Sequence, residues 1–151
     1  MGRRLGVMNL DDIKKDSRRY GPFAYIATTG NDGEPHLAPV AVNWIDDEVV
    51  AFVLSSSRKV RNVRQNPRAT VHFSVGESTN WDSCIVWGDA RIVDTTEGRR
   101  ELWDKMGYDL TAFEPGGPEA DTHVFLVVEP TRATVLRSYG AGGRSVWKRG
   151  H

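Results

Sequence analysis

Short apolar runs separated by turn residues dominate the first half of the chain and restrict its fold more than any other feature. Runs over 23–29, 36–44 and 48–54 are joined by the segment 30–35, Gly-Asn-Asp-Gly-Glu-Pro, and by Asp46-Asp47. Glycine and asparagine tolerate positive φ and proline fixes its own φ, so the segment 30–35 favours a turn. Connections this short join antiparallel neighbours, which predicts a meander of hairpins and not alternating strands and helices.

The second half of the chain adds further strand-like runs and short helices. Strands are predicted over 69–75, 83–93, 123–128 and 133–137, with a corner at Pro130. Capping residues and stop signals predict helices over 12–19, from Arg58 up to Asn66-Pro67, and from Thr95 toward Met106. About seven strands with two or three short helices predict a mainly β fold, a closed or nearly closed antiparallel barrel.

The chain of 151 residues is predicted to form one domain, 1–151, with a core over 10–137 and a Gly-rich tail over 138–151. We expect the fold to survive removal of this tail. Trp147, within the tail, is expected either to fold over the cofactor of a partner subunit or to lie in a disordered end.

Charge and cysteine content exclude several classes of protein. Lys plus Arg and Asp plus Glu each number 20, so the formal net charge is zero, which argues against nucleic acid as a partner. Apolar runs stay well below the roughly 20 residues of a membrane span. The single cysteine, Cys84, excludes an intrachain disulfide and fits a reducing cytoplasm, so we expect a cytoplasmic protein. The histidines have no spacing typical of a metal site.

One segment predicts an anion site. The hydroxyl residues Ser55, Ser56 and Ser57 follow the apolar run 49–54, and the basic helix that begins at Arg58-Lys59 comes directly after them. Backbone N–H groups at a helix start and cations in its first turn act on the same point, which favours bound phosphate. A phosphate-bearing cofactor is the natural ligand. Three further cations, Arg61, Arg64 and Arg68, are predicted to be surface or dimer ion-pair residues.

Three segments, in this order and spacing, resemble the pyridoxamine 5′-phosphate oxidase-like, FMN-binding split β-barrel superfamily over roughly residues 10–137. They are 24–29 with 32–36 and Pro39-Val40, then 58–63 with Asn66-Pro67-Arg68, and finally 86–93. The resemblance implies a six- to seven-stranded antiparallel split barrel of Greek-key type that forms a homodimer. It also implies two cofactor sites at the dimer interface, each holding FMN or the deazaflavin coenzyme F-420. The pattern of residues 59–68 is typical of the F-420 branch.

The resemblance assigns site residues as well. Lys59 would bind the cofactor phosphate with help from Arg58, Ser56 and Ser57, and Asn62, one helical turn further on, would support the same site. The ring system would contact Pro39, Val40 and Ala41, while Ser55 would reach the ring or the ribityl chain. Pro39 is equally well explained as the mark of a strand edge or bulge. The true oxidases of this superfamily hold pyridoxal phosphate with specific arginines of a C-terminal segment. Here the C-terminal region offers only Arg137, Arg144 and Trp147, in a different sequence context, so vitamin B6 oxidation is not expected.

Two functions follow from the resemblance. The first is an oxidoreductase that transfers hydride between FMN or F-420 and a small conjugated substrate, without an obligatory catalytic side chain. The alternative is a non-enzymatic protein that stores, senses or sequesters a flavin or haem in the same barrel.

Overall fold

The computed structural model describes residues 5–73 and 75–150, which form eight β-strands and three α-helices. The strands are β1 (Leu5–Val7), β2 (Phe23–Thr29), β3 (Pro35–Ile45), β4 (Glu48–Leu54), β5 (Arg68–Phe73), β6 (Ser83–Val93), β7 (His123–Arg137) and β8 (Gly143–Lys148). The helices are α1 (Leu10–Ser17), α2 (Arg58–Gln65) and α3 (Thr96–Trp103).

Six of the strands close a barrel. Their order is β7-β4-β3-β2-β5-β6, the last strand pairs again with β7, and all of these pairings are antiparallel. The connection from β4 to β5 therefore passes β3 and β2, and it carries α2. Val60 and Val63 of this helix are buried in the barrel core. The predicted mainly β split barrel is confirmed.

β7 is one strand of 15 residues, where the sequence predicted two strands with a corner at Pro130. A shift in register between Trp87 and Gly88 of β6 accommodates the proline, which lacks the N–H that regular pairing requires. Gly88 lies against the backbone of the opposite strand, because a Cβ built there would be 2.2 Å from the carbonyl oxygen of Glu129. The bulge lets β7 continue past the corner and pair along its whole length.

The segment expected to be a tail outside the core contains β8. This strand pairs antiparallel with β7 over Arg132–Arg137, and β1 pairs parallel with β8. Trp147 is partly buried against the barrel core of its own chain, so it is neither disordered nor detached in this chain. Glycines suggested an irregular end, but the free edge of β7 beyond Pro130 supplies a pairing partner that the local sequence does not reveal.

Two apolar clusters explain why β4 is apolar on both faces. Val49, Ala51 and Val53 belong to the cluster inside the barrel. Val50 lies in a second cluster on the outer side, where Met106 and Leu110 cover it. The irregular segment between α3 and β7 is thereby fixed to the outside of β4 and β7. Among the described residues, no helix has the length and apolar content needed to cross a membrane.

Candidate functional site

A cleft with a volume of about 330 Å³ opens where β3 and β4 separate. The pairing of these strands runs from Ile45 and Glu48 to Val42 and Ala51 and stops there. Beyond that point residues of both strands line the cleft, namely Pro39, Val40 and Ala41 of β3 and Phe52, Val53 and Leu54 of β4. Val40 and Val53 are also buried in the barrel core and form the floor of the cleft. The three β3 residues predicted to contact a ring system thus lie together in one cleft.

Aromatic side chains that the sequence analysis did not select complete the walls. Tyr108 and Phe113 come from the irregular segment between α3 and β7, and His123 begins β7. The ring of His123 stacks on Phe52, with centroids 4.5 Å apart and an interplanar angle of 7°. Their positions depend on how the irregular segment packs on β4, so no local sequence signal marks them. Apolar and aromatic walls favour a flat, largely apolar ligand.

Lys59, in the first turn of α2, is a cationic residue that lines this cleft. Burial lowers the pKa of its ammonium group, and no charged neighbour among the described residues offsets that effect. A partly buried cation without a carboxylate partner is costly for the fold, since transfer out of water destabilises the charged form. An anionic ligand in the cleft would remove this cost.

The N-terminus of α2 offers further unsatisfied donors beside Lys59. Ser57 holds the N-cap position, yet its side chain makes no capping hydrogen bond. Its Oγ is buried and has no partner among the described residues. The first N–H groups of a helix have no intrahelical acceptor and favour bound anions. The donors of the helix start are therefore available to a phosphate.

The hydroxyl of Tyr108 is a second buried polar atom without a partner in the part of the chain that is described. Burial raises the pKa of this phenol to about 12, so it stays protonated at neutral pH. A buried hydroxyl that lacks a partner is destabilising unless a ligand or water satisfies it. Tyr108 is thus a candidate hydrogen-bonding group for the occupant of the cleft.

Arg58 and Asn62, both predicted to support the phosphate, lie away from this cleft. Arg58 forms an ion pair with Asp32 at 3.1 Å and lines a separate polar groove. The amide of Asn62 is buried and donates to Thr28 Oγ1 at 3.1 Å, against Gly30. Asn62 therefore joins α2 to β2, and its part in cofactor binding stays a prediction.

Ser55 and Ser56 also have partners elsewhere in the chain. Ser55 Oγ lies within hydrogen-bond distance of the carbonyl oxygens of Asp121 and Thr122, at 2.8 and 3.0 Å, so it joins the end of β4 to the start of β7. Ser56 is exposed, and its carbonyl accepts a hydrogen bond from Arg61. Neither residue lines the cleft, and Trp147 does not line it either.

Three further arginines considered from the sequence, Arg64, Arg68 and Arg137, form ion pairs within the chain. Arg64 pairs with Asp94 at 2.8 Å and Arg68 with Asp89 at 3.7 Å, as exposed ion pairs. Arg137 pairs with the buried Asp16 at 2.8 Å. Across residues 5–73 and 75–150, no group of three or more His, Cys, Asp or Glu side chains is arranged to hold a metal ion.

The fold is a split β-barrel with an apolar cleft that contains the cation Lys59. A profile of the pyridoxamine 5′-phosphate oxidase family matches residues 14–137. The chain belongs to this family. No curated protein matches the sequence significantly.

Solved structures share the fold at low sequence identity. A Clostridium acetobutylicum protein related to general stress protein 26 is 14% identical, with a TM-score of 0.75 over 94% of this chain and 97% of the other. A Nostoc punctiforme protein described as FMN-binding is 15% identical, with a TM-score of 0.66 over 88% and 84%. HutZ, the haem storage protein of Vibrio cholerae, is 14% identical, with a TM-score of 0.61 over 82% and 91%.

Proposed function

We propose that this protein is an oxidoreductase that binds FMN or F-420 in the cleft between β3 and β4. The observation that carries the proposal is Lys59, a partly buried cation without a carboxylate partner among the described residues, which stands in a cleft with apolar and aromatic walls. Both cofactors combine a flat ring system with a phosphate. Their two chemical parts match the two parts of the cleft.

Each part of the site has a distinct role in this proposal. Lys59, the hydroxyl of Ser57 and the N–H groups at the start of α2 would hold the phosphate. The backbone and side chains over 39–41 would line the ring system. Arg58 would reach the phosphate only if its ion pair with Asp32 broke. This pair is exposed, and exposed ion pairs contribute about 0–1 kcal/mol to stability.

The bound cofactor would supply hydride transfer to a small conjugated substrate. The residues of the chain would orient the ring, exclude water and set the polarity at its edge, so no obligatory catalytic side chain is required. The separate polar groove that contains Arg58 and Arg61 would accept the anionic tail of F-420. FMN has no such tail, so binding tests that compare the two cofactors report on this groove.

The homodimer is part of the proposal because an apolar surface continues outward from the cleft. Phe23 and Leu37 are each 65% exposed, and Tyr25 lies between them on the same face of β2 and β3. Exposed apolar patches of this kind mark interaction sites. A second copy of the chain would cover this face and close the cleft. We also propose that the protein acts in the cytoplasm, where the thiol of Cys84 stays reduced.

Haem binding without enzymatic activity is the second candidate. It is supported by the likeness of the fold to a haem storage protein and by the imidazole of His123 in the cleft. Neutral imidazole is a common iron ligand. We favour the flavin-type cofactor, because Lys59 and the start of α2 offer donors for a phosphate, which haem lacks.

Parallel titrations of the purified protein with FMN, F-420 and haem test the proposal. We expect FMN or F-420 to bind at micromolar concentration or tighter, and Lys59→Met to weaken this binding by about 1.5–3 kcal/mol, the scale of a charge-assisted hydrogen bond. Lys15→Met, on the exposed surface of α1, is the matched control and should bind as the wild type does. Haem binding alone, or equal affinities of Lys59→Met and wild type, would contradict the proposal.

A further inference from the structure

A chain of hydrogen bonds reaches the cleft from the irregular segment before β7. Thr122 Oγ1 donates to Glu114 Oε2 at 2.7 Å. The same Oγ1 lies 3.1 Å from Nδ1 of His123. A hydroxyl has only one proton, and an ionised carboxylate can only accept. Thr122 therefore has no proton left for the histidine, and its oxygen must accept a hydrogen bond from Nδ1–H.

The direction of these hydrogen bonds fixes the tautomer of His123. In a neutral imidazole one ring nitrogen carries the proton and the other is an acceptor. With the proton on Nδ1, the acceptor is Nε2, and no described residue forms a hydrogen bond with it. Burial lowers the pKa of this imidazole, while the negative charge of Glu114 opposes that shift. The ring, which lines the cleft, is thus neutral at pH 7 and has a free lone pair on Nε2.

Two other contacts keep the ring in place. The ring is stacked face to face on Phe52. Ser55 holds the preceding residue, since its backbone N–H donates to the carbonyl of Thr122 at 2.9 Å and its Oγ lies 3.0 Å from the same oxygen. The position of His123 is therefore determined by β4 as well as by its own strand. A ring that is stacked on Phe52 and hydrogen-bonded through Nδ1 to a fixed Thr122 has little freedom to turn its acceptor away.

We propose that Nε2 of His123 is the hydrogen-bond acceptor that selects, among flat ligands, those with an N–H donor on the ring edge. This inference rests on the proposed function and deepens it. Among the described side chains that line the cleft, Lys59 and the hydroxyl of Tyr108 can donate, whereas Nε2 of His123 can only accept. Glu114 and Thr122 act through His123 and are positioning residues.

The oxidised rings of FMN and F-420 carry an N–H between two carbonyl groups, at N3, and methylation of N3 removes this donor. We would measure the affinity of wild type for FMN or F-420, whichever binds, and for its N3-methyl derivative. We expect methylation to weaken binding to wild type by about three- to tenfold, the range of one neutral hydrogen bond. In His123→Phe, which keeps a ring for stacking, the two ligands should bind equally.

Two further variants separate an acceptor from a merely structural role. His123→Gln places a carbonyl acceptor near the position of Nε2 and should restore part of the preference for the unmethylated ligand. Thr122→Val removes the hydroxyl that fixes the tautomer and should reduce the preference. Nitrogen-15 NMR of the imidazole gives a readout without any ligand, because it should show protonated Nδ1 in wild type and a shift toward protonated Nε2 in Thr122→Val.

The outcomes distinguish this inference from the function on which it rests. If neither FMN nor F-420 binds wild type, the proposed function and the inference both fail. If a cofactor binds but wild type and His123→Phe show the same effect of methylation, the inference alone fails. A spectrum with Nε2 protonated in wild type would also overturn it, since no acceptor would then face the cleft.

Discussion

Arg58 and Lys59 are adjacent in the chain but serve different grooves of the surface. Arg58 pairs with Asp32 in a polar groove, whereas Lys59 lines the apolar cleft between β3 and β4. Consecutive residues of a helix lie about 100° apart around its axis, so the side chains of neighbouring residues leave the helix in different directions. This separation makes Lys59 the cation on which the proposed phosphate site depends.

Lys59→Met should stabilise the protein in the absence of ligand. Burial lowers the pKa of Lys59 below its ordinary value of 10.5, so between the two values the unfolded chain binds more protons than the folded one. The stability of wild type should therefore rise with pH toward 10.5, and this contribution should be missing in Lys59→Met. Thermal unfolding of both ligand-free proteins between pH 7 and 10 measures the effect. A lower melting temperature for the variant at pH 7 would contradict it.

Ser57→Ala should reduce affinity for a phosphate-bearing cofactor without loss of stability. The Oγ of Ser57 is buried and makes no hydrogen bond within the described residues, so its removal leaves no partner unsatisfied. We expect affinity to fall about three- to tenfold, as for one hydrogen bond, and stability to change by less than about 0.5 kcal/mol. Titration calorimetry measures the change in affinity, and urea unfolding measures the change in stability. A loss of more than 1 kcal/mol in stability would indicate that Ser57 caps α2 in solution.

Gly88→Ala should destabilise the barrel by about 3 kcal/mol or more, at the upper end of the range for overpacked cores. A Cβ at this position would lie 2.2 Å from the carbonyl oxygen of Glu129, and backbone atoms of β7 cannot move aside cheaply. Gly76→Ala is the matched control, because its added Cβ would meet no atom within 4 Å and its φ of −171° suits any residue. Chemical denaturation should separate the two variants clearly, and equal stabilities would refute the close approach at the bulge.

Removal of residues 139–151 should destabilise the fold, contrary to the expectation from the sequence. The deletion exposes the half of β7 that pairs with β8 and removes Trp147 from the barrel core. Trp147→Ala removes only the contact of this side chain with the barrel core. It should lower stability by about 1–3 kcal/mol, less than for a fully buried tryptophan. Unchanged melting temperatures for both proteins would show that neither the pairing nor the packing of β8 contributes measurably to stability.

Leu37→Glu should weaken the proposed homodimer. The side chain is 65% exposed on the apolar face of β2 and β3, and a charge there would have to be buried when a second copy covers this face. Analytical ultracentrifugation at several concentrations gives the change in association. Val7→Glu is the control, since Val7 is 85% exposed but belongs to β1, which pairs with β8 and lies outside the face formed by β2 and β3. Equal dissociation constants for the two variants would place the interface elsewhere.

Local sequence signals predicted most of the barrel. Turn residues between 30 and 35 and at Asp46-Asp47 set the first two hairpins, and β2, β3 and β4 begin and end within one residue of the prediction. The side chain of Asn9 caps α1, as its residue type favours. These elements depend on interactions between residues close in the chain, which is why the sequence reveals them.

The residues of the candidate site were predicted from the sequence only in part. Pro39, Val40, Ala41 and Lys59 were selected from the sequence, and the structure brings them into one cleft. Arg58 and Asn62 were selected on the same grounds, but their side chains lie toward Asp32 and Thr28. Which cation of a helix reaches a cleft depends on the rotation of the helix about its axis, and packing of its apolar residues fixes that rotation.

The sequence by itself therefore determined the meander, the helix that begins after three serines, and the presence of a cation at its first turn. Only the tertiary structure decided that β8 completes the sheet and that Phe52, Tyr108 and His123 form the aromatic walls of the cleft. Turns and caps result from the preferences of a few consecutive residues. The walls join β4, the irregular segment after α3 and the start of β7, which are distant in the chain and meet only because the barrel closes.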